Sequence, residues 1–113
     1  MDRGREWIVD AWGCDPGALT DAARLRGICD GVVRDVGLRV VGEPAWHVFP
    51  GPGGVTGLYL LAESHLACHT YPESGWASFN LYCCRPAPRW PWEDRLAKGL
   101  GAARVAVREV ERG

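Results

Sequence analysis

Residues 54–73, GVTGLYLLAESHLACHTYPE, hold the densest run of reactive side chains: Thr56, Glu63, Ser64, His65, Cys68, His69, Tyr71 and Glu73. Cys83 and Cys84 follow shortly. Three readings compete for this run. His65, His69, Glu63 and Cys68 are donor types of a zinc site, and on a helix the two histidines would share a face at i, i+4. Pro72, Thr70 and the alternation of side chains argue for a strand instead, and no HExxH-type spacing is present. No metal is expected. A serine hydrolase would set Ser64 in a G-x-S-x-G elbow, which A-E-S-H-L does not match. Taken singly, each of these residues is also an ordinary structural polar. Cys83 and Cys84 are adjacent, so on a strand they point to opposite faces and chelate poorly.

The elements that must position these residues can be read from periodicity. Residues 5–12 (REWIVDAW) predict a first strand, and 13–17 (GCDPG) a turn. Ala22, Leu25, Ile28, Cys29, Val32, Val33 and Val36 recur at helical spacing, which predicts a helix over roughly 21–36. Thr20 or Asp21 is its N-cap, and Gly37 its C-cap. Residues 38–49 (LRVVGEPAWHVF) predict a second strand, with Gly42 and Pro44 marking a bulge or an edge. After the loop 50–54 (PGPGG), residues 55–64 and 76–84 are strand-like. Between them Leu66, Cys68 and Thr70 alternate against Ala67, His69 and Tyr71. Residues 85–92 are Pro-rich and irregular. A short helix over 93–100 ends near Gly99 or Gly101, and 102–110 form a last strand. This order predicts an α+β fold with a mostly antiparallel sheet covered by helices on one face, in one domain spanning 1–113.

Composition narrows the partners. Thirteen basic and 14 acidic residues leave a net charge of −1, with no footprint for nucleic acid or an anionic membrane. Arg104, Arg108 and Arg112 alternate with apolar residues, as on a solvated strand face. No apolar stretch approaches the ~20 residues of a spanning helix, and the N-terminus has no signal-peptide core. Five cysteines without such a signal predict a reduced, cytoplasmic setting, and their odd number argues against a complete disulfide framework. A chain of 113 residues buries a modest core, so a sizeable site would draw on a second copy.

The whole arrangement resembles the bacterial S-adenosylmethionine decarboxylase proenzymes. The resemblance is carried by G-C-D-P at 13–16 after an aromatic strand, G-V-T-G at 54–57, E-S-H at 63–65, H-T-Y-P-E at 69–73 and the strand ending in Cys84. It implies self-cleavage between Glu63 and Ser64: Ser64 Oγ attacks the Glu63 carbonyl, β-elimination follows, and residue 64 becomes a pyruvoyl group. The products are a β chain of 1–63 and an α chain of 64–113. By the family pattern Thr56 and His69 assist processing, with Thr56 on the preceding strand able to face both Ser64 and His69. The pyruvoyl ketone forms a Schiff base with the substrate amine and accepts electrons on loss of carbon dioxide. Cys84 then returns a proton to the α-carbon, and Cys83, on the other face, is structural. Phe49 and Tyr71 flank the substrate's adenine, and Glu73 accepts hydrogen bonds from its ribose. The family also implies a two-layer α/β sandwich and a homodimer with sites near the interface. The product, decarboxylated S-adenosylmethionine, is the aminopropyl donor of spermidine synthesis.

Four departures bear on the substrate. Tyr71 stands where many relatives carry tryptophan, and Asn80 where many carry aspartate. Cys83 and Arg85 flank Cys84 where Thr-Cys-Gly is common, and the 50–54 loop is one residue longer. L-arginine or L-ornithine is the alternative substrate, and a non-catalytic regulatory paralogue is the alternative role.

Overall fold

The computed structural model describes residues 4–84 and 87–113; Arg85 lies outside them. The described residues form one antiparallel sheet of six strands. These are β1 (Gly4–Trp12), β2 (Ala45–Val48), β3 (Val55–Leu61), β4 (Ser64–Tyr71), β5 (Trp76–Cys83) and β6 (Arg104–Arg112). The spatial order is β2-β3-β4-β5-β1-β6. Three helices, α1 (Pro16–Leu19), α2 (Ala22–Val36) and α3 (Trp92–Leu100), share a core with one face of it. The expected α+β sandwich, with helices on one face, is what the chain builds. No helix among the described residues is long and apolar enough to cross a membrane.

Strand alternation divides the sheet into a covered and an open face. Trp7, Val9 and Ala11 on β1, Tyr59 and Leu61 on β3, Leu66 and Cys68 on β4, and Phe79 and Leu81 on β5 are buried against the helices. Burying each large apolar side chain contributes about 1.5–3 kcal/mol. From the helices, Leu25, Cys29 and Val32 of α2 and Trp92, Leu96 and Leu100 of α3 complete the core. The opposite face carries Glu6, Ile8, Thr56, Leu58, Leu60, His65, Ala67, His69, Asn80 and Tyr82. Leu58 and Leu60 on it are 51% and 63% exposed.

The helix ends follow from their residues. Asp21 caps α2 by accepting from the Arg24 amide at 3.1 Å. Gly37 closes it in the left-handed region at φ 77, where a side chain would be strained. Residues 13–17 prove to be more than a turn. Asp15 caps the short helix α1, and Pro16 sits at its first position. The Tyr59 hydroxyl donates to Asp30 at 2.6 Å, tying α2 to β3. Burial, then that hydrogen bond, pushes the Tyr59 phenol well up.

The second strand differs from expectation. Only Ala45–Val48 pair as β2, and Val40 makes a single bridge to Leu61. Gly42 takes φ 72 and turns the chain, and Pro44 has no amide to donate, so the long segment breaks in two. Its first part still braces the end of β3. Val41 N–H donates to Leu60 O at 2.8 Å, and Ala62 N–H to Arg39 O at 2.9 Å.

The hairpin β3–β4 is fixed to the helical layer by Thr70, a buried polar side chain. Its hydroxyl donates to Leu19 O at 2.7 Å and accepts from the Val55 amide at 2.9 Å. The glycines of the 54–57 motif also have a steric cause. A Cβ on Gly54 would lie 2.8 Å from the Thr70 carbonyl, and one on Gly57 would lie 2.5 Å from the Trp46 indole.

Candidate active site

The chemistry-bearing residues gather in two clusters, one at each end of the β3–β4 hairpin. The first surrounds the turn. Leu61 pairs with Ser64, so Ala62 and Glu63 form a two-residue connection. Two-residue hairpin turns require positive φ, normally supplied by glycine or asparagine. Here Glu63 takes φ 67, and among the described residues no other non-glycine residue has positive φ. That conformation costs an L-residue roughly 1–2 kcal/mol. Neither the strand pattern nor any turn-forming dipeptide marks this turn in the sequence.

Cys84 meets Glu63 by register. His65 pairs with Tyr82, which sets Cys84 opposite Glu63 one step beyond the paired strands. The Cys84 thiol donates to the Glu63 carbonyl oxygen, and Glu63 Oε2 lies 4.0 Å from the same sulfur. Cys83 turns the other way into the core, 1% exposed, as alternation requires. Ser64 opens β4 half-buried. Leu38, Arg39, Ala62 and Glu63 line a cavity of about 180 Å³ beside the turn. The other thiols differ in kind from Cys84. Burial raises the Cys14 thiol, and a hydrogen bond to Cys68, then burial, raises that of Cys29. Cys84 alone is partly open among the cysteines.

The second cluster lies at the far end of the hairpin. Thr56 pairs with His69 across β3 and β4, and Thr56 Oγ1 is 3.0 Å from His69 Nδ1. Both line a cavity of about 550 Å³ with Phe49, Tyr71 and Glu73. That volume suits a small organic ligand. Phe49 is 49% exposed, which rules out core packing as its role, and it meets His47 edge-on at 4.5 Å. Tyr71 stacks on Trp76 with centroids 4.4 Å apart at 14°. Trp76 Nε1 in turn donates to Asp10 at 3.1 Å, so the Tyr71 ring is held from behind. Pro50 and Pro52 wall the same cavity. In the sequence, 50–54 is marked only as a loop, and Trp76 only as a strand residue. The pairing of Tyr71 with Trp76 becomes visible only once the β4–β5 register is known.

The family pattern sets Thr56 where it could face both His69 and Ser64. Within one protomer it faces His69. Five residues of extended chain separate His69 from Ser64, roughly 17 Å at ~3.4 Å per residue. The same geometry bears on the zinc alternative. His65 and His69 share a face of β4 but lie about 14 Å apart along it, beyond the reach of one ion.

Known proteins are similar in sequence and architecture. A profile of the family described as S-adenosylmethionine decarboxylase matches residues 5–113. The S-adenosylmethionine decarboxylase proenzyme of Carboxydothermus hydrogenoformans is 36% identical over 112 residues, covering 97% of this chain and 86% of its own. The S-adenosylmethionine decarboxylase proenzyme 2 of Halalkalibacterium halodurans is 35% identical over 112 residues, with the same coverage. The crystal structure of the adenosylmethionine decarboxylase from Aquifex aeolicus VF5 matches with a TM-score of 0.81 at 27% identity, over 99% of this chain and 92% of that one.

Proposed function

Because the chain belongs to the S-adenosylmethionine decarboxylase family, we propose that it cuts itself between Glu63 and Ser64 and then decarboxylates S-adenosylmethionine at a pyruvoyl group made from Ser64. The observation that carries this reading is the state of the Glu63 peptide. Glu63 is strained at φ 67, and a thiol donates to its carbonyl. Strain raises the ground state of the bond to be broken. The donor at the carbonyl oxygen polarises it toward attack and stabilises the negative charge that attack develops. Ser64 Oγ is the nucleophile; its attack gives an ester, β-elimination releases Glu63 as the C-terminal carboxylate of a 1–63 chain, and water hydrolyses the dehydroalanine left at residue 64, through its imine form, with loss of ammonia. The new 64–113 chain starts with the pyruvoyl group. That group supplies an electron sink for the carbon left by loss of carbon dioxide.

The remaining roles belong to side chains already in place. Cys84 is the general acid, returning a proton to the α-carbon. A reducing compartment such as the cytoplasm keeps that thiol intact. Phe49 and Tyr71 offer ring surface for an adenine, Glu73 offers acceptors for ribose hydroxyls, and both rings favour a sulfonium nearby.

The separation of the two clusters supports a homodimer. One protomer carries Ser64 and Cys84 at one end of its hairpin and the ligand cavity with His69 at the other. Leu58 and Leu60 of the open sheet face are exposed apolar side chains between them. Two such faces packed about a twofold axis would bring the residue-64 end of one protomer to the His69 end of the other. A complete site would then use both chains.

Substrate identity is tested by release of labelled carbon dioxide from S-adenosylmethionine, L-arginine and L-ornithine in turn. Release from S-adenosylmethionine is expected, because arginine and ornithine have no ring for Phe49 and Tyr71 to receive. Release from arginine or ornithine alone would overturn the substrate assignment.

A further inference from the structure

His65 is the residue joined directly to residue 64 on the side that stays with it after cutting, and its ring is tied across the open face of the sheet. His65 Nε2 lies 3.0 Å from Asn80 Oδ1 on β5. Asn80 Nδ2 donates to Glu6 Oε2 on β1 at 2.5 Å. Arg112 on β6 donates to the other Glu6 oxygen, also at 2.5 Å. The imidazole stacks on Tyr82 with centroids 5.7 Å apart at 24°. Arg112 lies over the same tyrosine ring at 5.8 Å.

Chemistry fixes the direction of this chain of bonds. An ionised carboxylate only accepts, so the Asn80 amide group faces Glu6 and its oxygen faces His65. Nε2 of His65 must then carry the hydrogen. The hydrogen bond from Asn80, with Arg112 adding to it, holds the Glu6 carboxyl below the usual carboxylate range, so it stays an acceptor near neutral pH. Four strands thus converge on the side chain next to residue 64. None of these residues has a part in the chemistry assigned above.

Cutting changes what holds residue 64. In the intact chain it is tied from both sides. In the cut protein it is a chain end, and chain ends fray unless tied down. Its remaining covalent tie is the amide to His65. A reacting group displaced by about 1 Å can lose about 10²-fold in rate. We propose that His65, gripped by Asn80, Glu6 and Arg112, is the positioning residue that keeps the reactive end of the 64–113 chain in place for decarboxylation. This rests on the self-cleavage reading above. It also gives Asn80 a purpose: an amide can accept from His65 and donate to Glu6 at once, which an ionised aspartate cannot do.

The test compares wild type with His65→Phe, Asn80→Ala and the double variant. H65F keeps a ring to stack on Tyr82 and removes the hydrogen bond. Intact mass follows cutting, and labelled carbon dioxide release gives kcat and KM. All four proteins are expected to cut fully. Each single variant should lower kcat about tenfold, with KM within twofold of wild type. The double variant should be no slower than the worse single, because both changes break one link. A kcat within twofold of wild type, a loss confined to KM, losses that multiply, or failure to cut would each overturn the proposal. Should H65F not fold, N80A decides it by the same split of kcat from KM. A wild-type chain that neither cuts nor releases carbon dioxide would sink the functional reading itself. An active wild type with unaffected variants would sink only the positioning role.

Discussion

Glu63 holds a backbone conformation that costs an L-residue roughly 1–2 kcal/mol, and its own carbonyl is the one Ser64 attacks in the proposed cleavage. A glycine would remove that cost, and a bulkier turn would lose the pairing of Leu61 with Ser64. In the proposed function Cys84 serves this carbonyl in the uncut chain and the substrate carbon in the cut one. Its replacement should therefore be felt twice. Cys84→Ala is expected to slow cutting about tenfold, by loss of one donor, and to lower kcat by about 10²-fold or more, by loss of the acid. Time-resolved intact mass and carbon dioxide release measure the two losses separately; undiminished kcat would remove Cys84 from the chemistry. The facing of Cys83 and Cys84 was legible in the sequence, because strand alternation alone separates adjacent side chains. The strain at Glu63 was not. Ala-Glu lacks the dipeptides that announce a two-residue turn, and in the proposed cleavage the mismatch between turn and residue is itself the functional feature.

Elements bring these residues into place through a few buried polar links. Thr70 joins α1 to the start of β3 with two hydrogen bonds. Thr70→Val keeps the shape and leaves the Leu19 carbonyl and the Val55 amide without that partner. Urea unfolding should show a loss of about 2 kcal/mol, and a change below about 0.5 kcal/mol would show that the link does not matter. Across β1, β5 and β6, Glu6 answers to pH. Its carboxyl sits below the ordinary glutamate value of about 4.3 because Asn80, and then Arg112, favour the charged form. A depressed folded value means the contribution is fully present above that ordinary value. It is lost as pH falls through the depressed one. Glu6→Gln should flatten this part of the acid limb of stability while leaving its shape above pH ~6 unchanged. At this scale α2 was largely legible, since its apolar period and its Gly37 cap agree and the structure picks Asp21 from the two candidate N-caps. The 38–49 strand was not, because Gly42 and Pro44 split it and only its pairing with β3 shows where each half goes.

At the scale of the whole molecule, the described residues form a sheet with helices on one face and the other bare, and the candidate site is divided between its ends. Sequence spacing could not reveal the division. Five positions look close in a sequence, yet they span roughly 17 Å once the chain is extended. Two inactive variants test whether the halves complete each other. Ser64→Ala retains His69, and His69→Ala retains Ser64. Co-expressed, the His69→Ala chain should be cut with help from its partner. If it remains intact in the mixture, cutting takes place within one chain. The central claim is tested most directly by the intact mass of the purified wild-type protein under denaturing conditions. Two chains are expected, 1–63 and 64–113, the second without a free amino terminus. A single uncut chain of 113 residues, or a cut at any other bond, would contradict the account.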